Sequence, residues 1–128
     1  MDLLTRISRW GWASPDKLAF CSAGRTMTWG ELIPRANALA AHLVRVLPDD
    51  RAPVALVGHK EPEMLVGFLG VAKSRHPYVP IDSSIPAARV ASIVRSAGAP
   101  VTLTPADIAK LSEIPGEDPV RPSVASDP

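Results

Sequence analysis

The sequence predicts an α/β fold in which a small parallel sheet is flanked by helices. Two observations lead to this fold class. From Val54 onward, short apolar runs alternate with helical patterns in the order strand, helix, strand, helix, strand, helix, which is typical of a parallel sheet with right-handed crossovers. The 128 residues fit one domain, and 46% of them are apolar, which is enough for a core and argues against disorder throughout.

The N-terminal segment predicts a helix followed by a short antiparallel pair of strands. Four apolar residues recur at helical spacing: Leu3, Leu4, Ile7 and Trp10. Asp2 stands where an N-cap or first-turn carboxylate stabilises a helix. Strands are expected at residues 18–22 and 26–27, with a tight turn at Ala23-Gly24-Arg25 between them.

A second helix is expected to begin at Thr28. Thr28 and Glu31 match a capping box, in which each side chain accepts a hydrogen bond from the backbone amide of the other residue. The apolar face of this helix holds Leu32, Ala36, Leu39, Ala40, Leu43, Val44 and Leu47. Pro48-Asp49-Asp50 ends it.

The alternating region begins with a continuous apolar run at residues 54–57, as expected for a parallel strand covered on both faces. The helix over residues 61–74 has Pro62 in its first turn and acidic residues near its positive end. Strands follow at residues 78–81 and 101–103. Ser84 is the expected cap of the helix between them, whose inner face holds Val90, Ile93, Val94 and Ala97 and which ends at Gly98. Thr104 opens one more short helix.

Two motifs resemble those of adenylate-forming enzymes, the AMP-binding superfamily that activates acyl and aminoacyl groups. The first is TWGEL at residues 28–32 followed by RANALA at residues 35–40, with Trp29 where the family usually has Tyr. The second is GVAKSRHPYVPID at residues 70–82, with Ser74-Arg75 in place of the family's Ala-Gly. Flanking residues look most like the N-terminal part of D-alanine–carrier protein ligases: Gly58-His59, Pro62, Met64, Ser84-Ile85-Pro86 and Arg89-Val90.

The resemblance covers about residues 3–104 and implies the first part of the large N-terminal domain of that fold. It also implies a reaction in which ATP and an amino acid form an aminoacyl-adenylate, whose acyl group then passes to a carrier-protein thiol. In the family, ATP and Mg are held by a phosphate loop and a ribose-binding aspartate, and a lysine on a C-terminal lid is catalytic. Residues 1–128 contain none of these motifs, so no catalytic residue and no cofactor is expected for the isolated chain.

Three residues are candidates for a substrate or anion contact. His59 and Lys60 follow a predicted parallel strand at the start of a helix, where α/β folds place ligands and where the helix dipole favours anions. The alternative is a solvated loop. Asp82 ends the next strand and either caps the following turn, which is the favoured interpretation, or lines a ligand crevice beside Tyr78.

Other residues narrow the function classes. The net charge is +1, with 14 basic and 13 acidic residues spread along the chain, so no nucleic-acid surface is expected. No apolar run approaches the ~20 residues of a membrane span and the N-terminus is no secretion signal, so a cytoplasmic protein is expected.

The single cysteine, Cys21, is interpreted as a buried structural thiol. His42 and His76 lack partners at metal-ligand spacing, and Trp10, Trp12 and Trp29 are expected to pack as core or interface, with an aromatic ligand platform as the alternative.

We therefore expect a partial adenylation-type domain at residues 1–113 and a Pro-rich flexible tail at residues 114–128. A parallel sheet interrupted within its domain exposes a strand edge, so we expect a homo-oligomer or a partner chain that covers that edge. The first functional hypothesis is an N-terminal fragment of an aminoacyl-adenylating ligase that is inactive alone. The alternative is a non-catalytic interaction module that dimerises or binds a carrier protein or a partner ligase. A degenerate relic without function is the third possibility.

Overall fold

The computed structural model of the chain describes residues 3–22, 24–48 and 50–113. The five helices of this part are α1 (Leu3–Ala13), α2 (Trp29–Val46), α3 (Pro62–Lys73), α4 (Ala87–Ala97) and α5 (Pro105–Leu111). Its five strands are β1 (Leu18–Ser22), β2 (Arg25–Thr28), β3 (Val54–Gly58), β4 (Tyr78–Asp82) and β5 (Val101–Leu103). The predicted order of elements is confirmed, whereas the proposed cap Asp2 and the tail at residues 114–128 lie outside the described residues.

The strands form two separate sheets. β1 and β2 pair antiparallel, with a bulge between Leu18 and Phe20. β3 lies between β4 and β5 and is parallel to both, which confirms the predicted fold class. Because β3 is the central strand, Val54, Ala55 and Leu56 are completely buried. This burial on both faces is the reason for the continuous apolar run in the sequence.

Capping interactions set the start of two helices. The Thr28 side chain accepts from the Glu31 amide and the Glu31 side chain accepts from the Thr28 amide, which is the predicted capping box of α2. Thr104 and Asp107 form the same arrangement at the start of α5. Both boxes satisfy amide groups that a helix start would otherwise leave without partners.

The core lies between α2 and α3 on one side and β3 on the other. Gly70 allows the two helices to approach closely, because a Cβ atom at this position would lie 2.8 Å from Leu39 Cδ2. The buried apolar cluster draws on both helices, on β3 and β5 of the parallel sheet, on β2 and on α5. Its members are Met27, Leu32, Ile33, Ala36, Leu39, Leu43, Val54, Leu56, Met64, Val66, Leu69, Val71, Leu103 and Ile108.

Three expectations about burial and capping are wrong. Val44 is 54% exposed, although its neighbour Leu43 is buried in the core. Cys21 is exposed rather than buried, since its side of the short β1–β2 sheet faces solvent. Pro86 occupies the N-cap of α4 without a side-chain cap, so Ser84 does not cap this helix.

The inner face of α4 is the predicted one. Val90, Ile93, Val94 and Ala97 are partly buried, whereas every other residue of this helix is exposed. Among the described residues, α4 makes only sparse contacts with other elements. The helix does end at Gly98 as predicted, which adopts a left-handed conformation with φ of 71°.

Candidate functional site

The candidate site lies at the carboxyl ends of β3 and β4. These strands run parallel in register, so their last residues, Gly58 and Asp82, are paired neighbours. Ser83 extends this link, since its amide donates to the Gly58 carbonyl at 2.9 Å. His59 leaves β3 directly above this pairing, and its Nδ1 lies 3.4 Å from Asp82 Oδ2. The fold thus brings together two of the three predicted site residues.

Asp82 has two structural partners. Its Oδ1 accepts a 2.8 Å hydrogen bond from the Ser84 amide, which is the predicted capping of the turn after β4. Hydrogen bonding from the backbone and side chain of Ser84, followed by attraction to His59, holds the pKa of Asp82 below its usual value. The carboxylate is therefore ionised at neutral pH and offers an acceptor at an edge where both side chains are about half exposed.

The helix start next to this pair carries its own negative charge. Pro62 begins α3, and Glu61 at the N-cap makes no side-chain hydrogen bond to the first turn. Instead, Glu61 Oε1 accepts from the His59 amide at 2.6 Å. Lys60 is exposed in the turn between them. An incoming anion would meet both the positive end of α3 and the Glu61 carboxylate, and the assignment of His59 and Lys60 to an anion contact stays a prediction.

A buried polar pair joins the two sequence motifs, and sequence reasoning missed it. Lys73 Nζ donates to Asn37 Oδ1, and the two residues are 3% and 2% exposed. Asn37 belongs to the first motif, on α2, and Lys73 belongs to the second motif, at the end of α3. Their positions could have indicated that both are buried, because Asn37 follows Ala36 on the buried face and Lys73 follows Leu69 by one helical turn.

His76 is a structural residue, whereas Trp10 and Trp12, expected in the core or at an interface, are 59% and 38% exposed. His76 is buried, and its Nδ1 lies 2.7 Å from the Ala52 carbonyl oxygen, as expected for a structural histidine. The rings of Trp10 and Trp29 are in contact, with centroids 5.4 Å apart. Within the described residues, no three His, Cys, Asp or Glu side chains are grouped as metal ligands. None of the helices in the described part of the chain is both long and apolar enough to cross a membrane.

Comparison with known proteins relates this architecture to one family. The family model described as "AMP-binding enzyme" matches residues 7–127. A D-alanine–D-alanyl carrier protein ligase of Bacillus mycoides is 41% identical over 108 residues, which is 84% of this chain and 21% of the relative. A ligase of the same name from Bacillus anthracis is 41% identical over 106 residues. The chain therefore spans about a fifth of the length of the curated relatives that it matches.

Solved structures show the same fold. The nonribosomal peptide synthetase FmoA3, in its α-methyl-L-serine-AMP bound form, matches with a TM-score of 0.74 and 29% identity over 80% of this chain and 12% of that chain. The N-terminal subdomain of Klebsiella oxytoca NpsA, in complex with 3-hydroxyanthranilyl-AMSN, matches with a TM-score of 0.73 over 94% of this chain and 34% of that chain. At 23% identity, the second likeness concerns the fold alone.

Proposed function

Because this chain belongs to the AMP-binding enzyme family, we propose that it forms the N-terminal part of an ATP-dependent ligase that activates an amino acid and loads it onto a carrier protein. The observation that carries the proposal is the 41% identity to a D-alanine–D-alanyl carrier protein ligase over 84% of this chain. D-Alanine is accordingly the first substrate to test, ahead of other amino acids.

In this proposal, the described residues supply scaffold rather than reacting groups. The Asn37–Lys73 pair locks α2 against α3, and the Asp82 carboxylate fixes the turn that follows β4. His59 and Asp82 together stand at the sheet edge where α/β folds place their ligands. We assign to them, with Lys60, a contact to substrate or to an anionic group, and no bond-making role.

The residues present do not by themselves fit ATP and Mg. The 128 residues contain no Gly/Ser/Thr-rich phosphate loop, and the described ones gather no group of three metal-ligating side chains. A triphosphate would also meet the Glu61 carboxylate at the N-cap of α3. We propose that nucleotide binding depends on residues outside this sequence, supplied by the same polypeptide or by another.

Pyrophosphate exchange tests the proposal directly. The 128-residue chain is assayed for ATP–pyrophosphate exchange with D-alanine and a panel of amino and carboxylic acids, alone and mixed with a Bacillus mycoides ligase that lacks the matched N-terminal fifth. We expect no exchange with either component alone and D-alanine-dependent exchange in the mixture. Exchange by the chain alone would overturn its dependence on other residues. A folded mixture without exchange for any acid would overturn the proposed function.

The matched control for this experiment is a chain that cannot form the α2–α3 interface. Gly70→Leu places a large side chain where even a Cβ atom would lie 2.8 Å from Leu39. Its mixture should show no exchange. Exchange equal to that of the unchanged chain would mean that the complementing activity does not need this fold.

A second candidate function is a non-catalytic interaction module, and the only partly buried apolar face of α4 is the observation that favours it. No residue of α4 is buried, although its apolar residues share one face. The module would use this face and the adjacent sheet edge to form a homodimer or to bind a carrier protein or a partner ligase. Sedimentation equilibrium tests the homodimer, since a strict monomer at tens of micromolar would contradict it.

A further inference from the structure

α1 presents two large apolar side chains to solvent on one face. The opposite face is fixed on the body of the fold, because Ile7 packs against the core and a Cβ atom at Gly11 would lie 2.7 Å from Ile33 Cγ1. Leu3 and Trp10 are seven positions apart, so they lie on the same side of the helix, and they are 69% and 59% exposed. Apolar side chains that share an exposed face indicate a candidate interaction surface.

Trp10 is supported by its neighbours although most of its side chain is exposed. Its ring contacts the ring of Trp29, with centroids 5.4 Å apart and planes tilted by 46°. Its carbonyl accepts a 3.0 Å hydrogen bond from the Ser14 amide, which continues the helix by one residue. Because the ring is already packed on one side, a partner that meets its other side orders few additional side-chain torsions.

The same face of α1 is basic. Arg6 and Arg9 are exposed, and residues 3–13 contain no acidic side chain. Within the described part of the chain, neither arginine forms a hydrogen bond or an ion pair. The next charged residues, Asp16 and Lys17, are both exposed and offset each other. The outer face of α1 therefore carries two uncompensated positive charges beside its two apolar side chains.

We propose that this outer face of α1 binds the surface of an anionic lipid bilayer, with the helix lying in the plane of that surface. Tryptophan and leucine side chains enter the boundary between headgroups and acyl chains, and arginines are attracted to anionic headgroups. The positive charge of the face favours an anionic occupant. An outward-facing helix is also a convex ridge, which a deformable surface covers more readily than a preformed protein groove does. The inference does not depend on the ligase function.

Vesicle flotation of the 128-residue chain tests the charge requirement. Vesicles of phosphatidylcholine alone are compared with vesicles of equal parts phosphatidylglycerol and phosphatidylcholine. We expect binding to the anionic vesicles to be stronger by about tenfold or more and to weaken as salt is added. Arg6→Gln combined with Arg9→Gln should weaken that binding by about 30-fold, since each basic residue near such a surface contributes about fivefold. Arg89→Gln combined with Arg95→Gln removes the same charge from two exposed positions of α4 and should change binding by less than about twofold.

Two further variants test the apolar side chains. Leu3→Ser should weaken binding to anionic vesicles by about tenfold, because less apolar area is removed from water. The tryptophan emission of the unchanged chain should shift to shorter wavelength when anionic vesicles are added. Trp10→Phe keeps a ring against Trp29, and most of this shift should disappear in that variant.

Three results would overturn the inference. The chain could fail to bind anionic vesicles, or bind neutral vesicles equally well. The double variant of Arg6 and Arg9 could bind as tightly as the unchanged chain. The chain could also be retained on immobilised polyglutamate without binding vesicles, which would assign this face to an acidic protein instead. Since both arginines are exposed and form no bond to a described residue, their variant should remain folded, and an unchanged circular dichroism spectrum verifies this.

Discussion

Replacing Arg75 by glycine should stabilise the fold. Arg75 adopts a left-handed conformation with φ of 69° directly after α3. Its amide donates to the Ala72 carbonyl at 3.0 Å, and the amide of His76 donates to the Val71 carbonyl at 3.3 Å. These two bonds define the helix ending that proteins most often build with glycine, because a Cβ atom is unfavourable at this backbone angle. Gly98 makes the same pair of bonds after α4, with φ of 71°.

The expected change in the free energy of unfolding is the difference between two opposing effects. A non-glycine residue in the left-handed region costs about 1–2 kcal/mol. Glycine offsets about 0.5–1 kcal/mol of this gain in stability, because it increases the conformational freedom of the unfolded chain. The Arg75 side chain is exposed and has no hydrogen bond or ion pair to a described residue, so its removal adds little. Arg75→Gly should therefore raise the free energy of unfolding by about 0.5–1 kcal/mol, which corresponds to about 2–6 °C in Tm.

Urea denaturation and thermal unfolding followed by circular dichroism measure this change. Arg75→Ala is the matched control, since it removes the same side chain but retains the unfavourable backbone angle. It should be as stable as the unchanged chain within about 0.5 kcal/mol. If Arg75→Gly proves no more stable than Arg75→Ala, the backbone angle carries no strain and the reasoning fails.

Three further variants test the core and the site. Lys73→Met should lower the free energy of unfolding by about 1–3 kcal/mol, because Asn37 Oδ1 loses its buried donor. In a double-mutant cycle, adding Asn37→Leu should recover part of this loss. Strictly additive losses would contradict the pairing. Gly70→Ala should cost about 1–3 kcal/mol in a urea titration, since its Cβ atom would collide with Leu39, and an unchanged midpoint would contradict the close approach. The lowered pKa of Asp82 means that its contribution is present above the unfolded pKa near 4 and disappears as pH falls through the folded pKa. The stability difference between the unchanged chain and Asp82→Ala should therefore shrink below about pH 4, and a difference that stays constant down to pH 2 would contradict this assignment.

Local chemistry was the part of this fold that the sequence predicted best. The capping boxes at Thr28 and Thr104 depend on residues three positions apart, so the sequence alone is enough to place both helix starts. The parallel sheet was predicted from the alternation of patterns, and the family resemblance from the two motifs; both are confirmed. Burial was harder, because it depends on which elements surround a residue. Val44 and Cys21 are of residue types that are usually buried, but they lie where no other described element covers them.

For the candidate site, too, the sequence predicted local features better than distances that depend on how the elements pack. The parallel register of β3 and β4 places His59 beside Asp82, and the sequence indicated that both residues follow strand ends. It could not give their separation, which requires the order of strands in the sheet. The Asn37–Lys73 pair escaped detection because a pattern of apolar residues classes asparagine and lysine as surface positions. A buried lysine is stable only with a partner, and that partner lies 36 residues away in the chain.

This pair also links the two sequence motifs physically. Asn37 stands in the first motif and Lys73 in the second, and their hydrogen bond crosses the interface that Gly70 keeps close. α3 ends at Lys73, and the helix ending at Arg75 then directs the chain into β4 and Asp82. The position of α2 is thereby linked to the position of the Asp82 carboxylate through a continuous series of contacts. The two motifs hold the carboxyl edge of the sheet at a defined distance from the core, which is what a ligand site at that edge requires.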